Sequence, residues 1–322
     1  MFLLIIVYGY ILVAAIMTYI ILRDWKNPAL FFGRNRVLAA IFAVVLFLGI
    51  ITALYSTLIE PFSLRLNKVE VRSQKIIQPI KIAFVSDIQI GKYKKASWTE
   101  KIVAKIESVN PDIVIFGGDQ IDNEGTFEDE SLYLTPLKKL SGKYPVYYIL
   151  GNHEYGIGGN VRFSPYKYTG DRSQLEIDRM KSLNISLLRN QLDCLKIKKQ
   201  KICLFGIDDI WKNKPNYSQL KNWDKISPLI YITHNPDGIL NYPTNLPPPA
   251  LVLAGHTHGG QIWLPFIGPL GHAQTILDDK YYRGLNYFNN IPIYTSVGAG
   301  ESGAPLRLFT MPEVAVISVL PQ

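Results

Sequence analysis

The sequence predicts an α/β domain of about 240 residues carried by an N-terminal hairpin of two membrane-spanning helices. Residues 1–22 and 37–59 hold no charged side chain, and the stretch between them is basic. In the remainder, short apolar runs alternate with helical or turn-rich stretches, the texture of strand–helix–strand units. The boundaries that follow are 1–60 for the hairpin, 61–79 for a linker and a first strand, and 80–322 for the α/β domain.

Each apolar run is long enough to cross ~30 Å of hydrocarbon at ~1.5 Å per residue. Neither shows the basic start, short apolar core and small-residue cleavage site of a signal peptide. The connecting loop carries Arg23, Lys26, Arg34 and Arg36 against Asp24. The positive-inside rule holds such a loop in the cytoplasm and places the α/β domain outside. Arg65, Lys68, Arg72 and Lys75 after the second run argue the other way, but charges belonging to a long domain count for less.

Ile80 to Val85, Asp112 to Phe116, Val146 to Leu150, Leu229 to Thr233 and Ala250 to Ala254 read as buried strands. Ser97 and Glu100 form a capping-box pattern for a helix reaching Val109. Leu192 to Lys198 with Lys201 to Ile207 reads as a hairpin, and Tyr281 to Phe288, Ile293 to Ser296 and Val314 to Val319 as later strands. A turn on Lys198 and Lys199 sets Cys194 opposite Cys203, but it lacks the usual Gly or Asn, so no disulfide is expected.

Composition narrows the function. With 48% hydrophobic and 19% charged residues, the chain buries too much apolar surface to be disordered. Two Cys in 322 residues cannot build a Cys-rich zinc module. A formal net charge of +8 fits a partner carrying phosphate. No basic stripe with interleaved aromatics marks a nucleic-acid face, so no nucleic acid is expected. The absence of a P-loop, of GxGxxG after the first strand and of GxSxG leaves NTPase, dinucleotide and serine-hydrolase chemistry without support.

Five strand exits carry polar residues that suit a metal site. They are SDIQ with Asp87 and Gln89, GGDQ with Asp119, GNHE with Asn152 and His153, THNPD with His234, and GHTH with His256 and His258. In open α/β sheets ligands bind outside the carboxyl ends of the strands. Gly117, Gly118, Gly151 and Gly255 are expected to let the chain turn sharply at these exits. Carboxylate, imidazole and amide oxygen together suit Mn, Fe, Zn or Ni better than Ca. His256 and His258 lie two apart and face opposite ways in an extended segment, so a turn or two adjacent metals is needed to use both.

These motifs, in this order, resemble the signature of the calcineurin-like metallophosphoesterases: D-x-H, G-D-x-x, G-N-H-[DE], H, then G-H-x-H. HNPD, GHTHGGQIWLPFIGPL and the tail YTSVGAGESGAPLRLFTMPEVAVISVL resemble the bacterial membrane-associated branch, the YkuE/YaeI-like phosphoesterases. The resemblance covers roughly residues 80–322. It implies an α/β/β/α sandwich, two divalent metal ions ~3.5–4 Å apart, and attack on phosphorus by a metal-bound hydroxide. It further implies that Asp87, Gln89 and His258 hold the first metal, that Asp119 bridges, and that Asn152, His234 and His256 hold the second. His153 matches the non-ligand histidine that protonates the leaving oxygen. The family usually has His where Gln89 stands. A neutral amide oxygen is harder and a weaker donor than imidazole, which favours Mn over Zn; the eukaryotic phosphodiesterases that trim GPI glycans resemble this chain in carrying Gln there.

The implied protein is a multi-pass enzyme of the plasma (inner) membrane, with the lipid bilayer as partner and a lipid- or envelope-linked phosphodiester or pyrophosphate as substrate. One rival reading is a UDP-2,3-diacylglucosamine pyrophosphatase of lipid A biosynthesis, whose substrate is cytoplasmic. Another is a noncatalytic interaction module on the same fold, which should have lost several of the site residues, His153 among them. Outside the motifs, Glu301 and Arg307 are expected to structure the C-terminal loop, Asp208 and Asp209 to make a turn, and His272 to sit in a rim loop. Trp263, Leu264, Phe266 and Ile267 read either as a packed hairpin or as a grip for an acyl chain.

Overall fold

The computed structural model describes residues 2–123, 128–158, 167–271 and 275–322. The first apolar helix runs over Phe2–Asp24 and the second over Arg36–Leu54, with the one-turn helix Phe31–Arg34 between them. The two long helices pack side by side, and Gly49 gives the room: a Cβ there would lie 1.8 Å from the Tyr10 hydroxyl. Most of their large side chains are exposed, Val37 at 77% and Tyr19 at 66%. Faces this apolar and this uncovered suit hydrocarbon and not water.

The second helix does not end at Leu54. It continues as a π-helical turn over Tyr55–Ile59 and a 3-10 turn over Glu60–Phe62, whose Ser56, Thr57, Glu60 and Pro61 are buried. The Ser56 carbonyl accepts from the Arg307 N–H (2.9 Å), and Glu60 Oε1 accepts from the Thr310 N–H (2.6 Å). The Phe62 ring meets Trp98 edge to face at 6.3 Å. The helix exit is thereby bonded into the domain.

The domain holds two six-stranded mixed sheets. In spatial order the first contains Arg65–Ser73, Glu313–Pro321, Ile80–Val85, Ile113–Gly117, Val146–Ile149 and Ser186–Leu187. Glu313–Pro321 runs antiparallel to Ile80–Val85, and the strands from Ile80 to Leu187 are parallel. The second sheet contains Gly284–Phe288, Ile291–Thr295, Leu251–Ala254, Leu229–Ile232, Gln200–Gly206 and Gln191–Ile197. Between the sheets lies a core that includes Phe84, Ile115, Ile149, Leu204, Ile230, Leu253 and Tyr294. The central strands Ile113–Gly117, Val146–Ile149, Leu229–Ile232 and Leu251–Ala254 are apolar and buried along their whole length because both faces are covered. Helices Ala96–Val109 and Ser173–Ser182 cover the outer face of the first sheet through Ile102, Ile106 and Met180. Short 3-10 turns such as Pro236–Asn241 and Asp279–Tyr282 cover the second.

Three details depart from expectation. Helix Ala96–Val109 starts too early for a capping box: Lys95 occupies the N-cap without a side-chain bond, and Ser97 falls inside the first turn. Trp98, held by its indole N–H on the Ala299 carbonyl, fixes that end instead. The later strand begins at Gly284, after a 3-10 turn that takes Tyr281 and Tyr282. Cys194 and Cys203 are disulfide-bonded. They are direct partners across the hairpin, and Lys198 itself takes the left-handed φ of 56° that the turn needs, so no glycine is required.

Candidate metal centre and active site

The parallel strands of both sheets end at one rim. Asp87 follows Ile80–Val85, Asp119 follows Ile113–Gly117, and Asn152 and His153 follow Val146–Ile149. His234 follows Leu229–Ile232, and His256 and His258 follow Leu251–Ala254. The structure brings all eight expected residues together. His234 Nε2 lies 3.0 Å from Asp119 Oδ2 and 3.9 Å from Asp87 Oδ1, and His258 Nε2 lies 3.5 Å from Asp87 Oδ1. Donor atoms of Asp119, His234 and His256 all fall within 4.8 Å of one another. Gln89 reaches the same place, its Nε2 3.3 Å from His153 Nε2.

The imidazoles are oriented alike. Nδ1 of His234 meets the Gly117 carbonyl (2.8 Å), that of His256 meets Asn152 Oδ1 (2.9 Å), and that of His258 meets the Gly300 carbonyl (3.2 Å). An oxygen acceptor at each Nδ1 assigns the proton there and leaves Nε2 as the lone pair. Nε2 of His256 and Oε1 of Gln89 are buried with no hydrogen-bond partner, and Nε2 of His234 faces only Asp119 Oδ2. Buried polar atoms are rarely left so unless another group completes them. An imidazole anchored through one nitrogen with the other bare is the arrangement metal-ligating histidines adopt.

The backbone that aims these side chains is unusual. Asp87, Gln89, Asp119, His256 and His258 all have left-handed φ, between 46° and 68°. Such φ is uncommon outside glycine and clusters at functional sites. Two left-handed residues explain how both histidines of GHTH turn inward. Of the four motif glycines expected to turn the chain, only Gly118 has positive φ. Gly151 and Gly255 are needed for room: a Cβ at Gly151 would lie 2.2 Å from Asp119 Oδ1, and one at Gly255 1.8 Å from Ser86 Oγ.

Glu154 is the residue whose role the motifs do not announce. Its buried carboxylate accepts from the N–H groups of Asp119 (3.0 Å), Gln120 (2.6 Å), Ile121 (3.3 Å) and Gly151 (2.7 Å). It ties the turn that carries Asp119 to the turn that carries Asn152 and His153. Burial and the charge of Glu154 push the neighbouring Glu176 carboxyl well above its ordinary range. Asp119 Oδ1 in turn accepts from the His153 N–H at 2.8 Å, and Trp211 packs edge-on against the His256 ring at 4.5 Å. The glutamate after the histidine in GNHE was the only sequence signal for this clamp.

Charge in the site is unbalanced. Burial pushes the Asp87 carboxyl up to about 6 against the opposing pull of His234. Burial would raise Asp119 too, but His234 and His153 hold it below the carboxylate range. Burial lowers His234, yet Asp119 and Asp87 more than offset it and raise it well above the imidazole range. His256 is lowered to about 3, first by burial and then by His234. Two buried carboxylates thus raise the affinity of the imidazole between them for positive charge. A set of two carboxylates, bare imidazole nitrogens and an amide oxygen fits divalent cations.

Glu301 and Arg307 structure the C-terminal loop as expected. Arg307 is fully buried, donating to Glu301, Thr310, Val297 and Gly300, so its guanidinium is not available to phosphate. Lys94 also donates to Glu301 at 2.7 Å, and burial lowers its ammonium to about 7. Asp208 bonds Tyr155 and Arg189, and Asp209 accepts from the N–H groups of Trp211 and Lys212 in a turn. His272 lies outside the described residues.

Comparison with known proteins agrees with this geometry. Residues 80–260 match the model of the calcineurin-like phosphoesterase family. The chain is 30% identical over 247 residues to the phosphodiesterase YaeI of Escherichia coli, covering 75% of this chain and 83% of that one. It is 28% identical over 276 residues to the metallophosphoesterase YkuE of Bacillus subtilis, covering 82% and 88%. It is also 28% identical over 250 residues to a bovine transmembrane protein with a metallophosphoesterase domain, covering 73% of this chain and 52% of that protein. The family match spans more than half of the chain and takes in every residue gathered at the rim: this membrane protein belongs to the calcineurin-like phosphoesterases.

Proposed function

We propose that the protein is a membrane-anchored, dinuclear metal-dependent phosphoesterase that hydrolyses a phosphodiester or pyrophosphate linked to lipid or envelope, on the extracytoplasmic side. The observation that carries the reading is the set of three imidazoles, each anchored through Nδ1, around Asp119 and Asp87. Asp87, Gln89 and His258 would hold one ion, Asn152, His234 and His256 the other, and Asp119 both; Mn is favoured, with Zn, Fe or Ni as alternatives. Two such ions supply polarisation of the phosphoryl oxygens and a lowered pKa for water.

The chain's own groups do the rest. His153 Nδ1 meets the Asp122 carbonyl at 2.5 Å, so Nε2 faces the site and can hold the proton for the leaving oxygen. Burial lowers this imidazole, but Asp119 and Asp122 outweigh it and raise its affinity for that proton. The Gln89 amide N–H, 3.3 Å away, steadies the same nitrogen in its neutral form and leaves Oε1 for a metal. Retention of His153 and of the expected metal ligands argues against a noncatalytic module.

The side of the membrane rests on two features. Arg23, Lys26, Arg34 and Arg36 favour a cytoplasmic loop, and the Cys194–Cys203 bridge belongs to an oxidising compartment. An alkaline phosphatase fused after Gln322 is expected to be active in cells. An inactive fusion would put the domain in the cytoplasm and favour the UDP-diacylglucosamine pyrophosphatase reading.

The purified full chain should hydrolyse bis-p-nitrophenyl phosphate when Mn is added back after chelation. His153→Ala should lower kcat ~10²–10⁴-fold with metal content nearly intact. Loss of both metals together with activity would make His153 a ligand instead. Gln89→Ala should bind one metal weakly while the other stays in place, and Gln89→His should shift the preference toward Zn. Two full equivalents of metal in Gln89→Ala, by elemental analysis, would remove Gln89 from the ligand set.

A further inference from the structure

Five residues beyond His258 the chain enters a short hairpin, Trp263–Leu264 paired antiparallel with Gly268–Pro269. Its base is fixed and its tip is bare. Phe266, at φ 65°, is fully exposed, and Ile267 is 70% exposed. A tip this apolar is not the packed hairpin that the sequence allowed, and such side chains seldom face water without a partner.

The position of the tip says what that partner is. The Trp263 N–H donates to the Leu308 carbonyl (2.9 Å), and the Leu308 N–H to the Gln261 carbonyl (3.1 Å). The same segment is bonded on both sides of Phe309 to the end of the second apolar helix, Arg307 to Ser56 and Thr310 to Glu60. Phe309, at φ 58°, is itself exposed. Leu58 and Ile59 at the helix exit are more than half exposed as well. A continuous hydrogen-bonded path thus runs from the helix exit through 307–310 to the hairpin. Next to it Trp263 carries the Arg283 guanidinium at 3.8 Å, and Arg283 Nη1 donates to the Phe309 carbonyl at 3.0 Å. An amphipathic indole beside a cation is suited to the headgroup layer.

We propose that the Trp263–Pro269 hairpin is a second membrane contact, with Phe266 and Ile267 and the neighbouring Phe309 entering the interfacial layer of the bilayer that the two apolar helices cross. The occupant of this surface is lipid. The hairpin begins five residues after His258, so the contact holds the catalytic rim against the leaflet and admits phosphate esters presented at headgroup height. The inference rests on reading the apolar helices as membrane spans, and it does not depend on hydrolysis.

The test uses the full chain reconstituted into phosphatidylethanolamine and phosphatidylglycerol vesicles, with bimane attached separately to Phe266→Cys, Phe309→Cys and Ile226→Cys. Ile226 is the control: it is 83% exposed and precedes strand Leu229–Ile232, at the end of the sheet away from the rim. Nitroxide-labelled lipid should quench the labels at 266 and 309, and aqueous iodide should quench them at least ~3-fold less than the label at 226. Labels at 266 and 309 that respond as the control does would overturn the proposal. So would labels shielded from both quenchers, which would mean that protein covers the tip. An enzyme inactive on every phosphodiester would defeat the phosphoesterase reading and leave these quenching results unchanged.

Discussion

One buried carboxylate holds the catalytic rim in shape. Glu154 collects N–H groups from the Asp119 turn and from the Gly151 turn, which leave different strands of the first sheet. Non-glycine residues in the left-handed region cost ~1–3 kcal/mol each, somewhat less for Asp. A hydrogen bond to a charged acceptor returns ~1.5–3 kcal/mol. Four such bonds on one carboxylate are therefore enough to hold Asp119 in a conformation that its turn alone would not keep. Asp119 then holds His153 through the His153 N–H, and Asp87 is joined to the same turn by its own N–H on the Gly118 carbonyl. The positions of His153, Asp119 and Asp87 all follow from that clamp.

The central strands were legible because they are apolar on both faces, and the residues gathered at the rim because five of those strands end in a short polar motif. Ile80–Val85 and Leu251–Ala254 could be read almost to the residue on that basis. What the sequence hid was conformational. Glycine in a motif suggests a turn, yet Gly151 and Gly255 are there to leave space, and the unusual φ values fall on Asp87, Asp119, His256 and His258. Glu154 was hidden for a related reason: a carboxylate that binds main-chain N–H groups leaves no partner residue type in the sequence to signal it. The cysteine bridge was hidden because Lys198 adopts a backbone conformation that lysine seldom takes.

The junction with the membrane was hidden because it depends on side chains far apart in sequence. Glu60 reads as the first acid after an apolar run, and only the fold shows it capping the Thr310 N–H 250 residues later. Arg307 reads as a residue that structures the C-terminal loop, and the fold shows how: its N–H groups are spent on Glu301 and on carbonyls of the loop. That loop contributes the Gly300 carbonyl that orients His258. The second apolar helix and the candidate metal site are thus two ends of one hydrogen-bonded assembly, and the helix is more than a tether.

The clamp can be tested by metal content. In Glu154→Gln the shape is kept, but one oxygen becomes an NH₂ that cannot accept from the Asp119 turn or the Gly151 turn. After purification in excess Mn, elemental analysis of a variant with unchanged circular dichroism should find less than one metal per chain, against two for the parent. Two metals per chain in Glu154→Gln, with full hydrolysis of bis-p-nitrophenyl phosphate, would contradict the account.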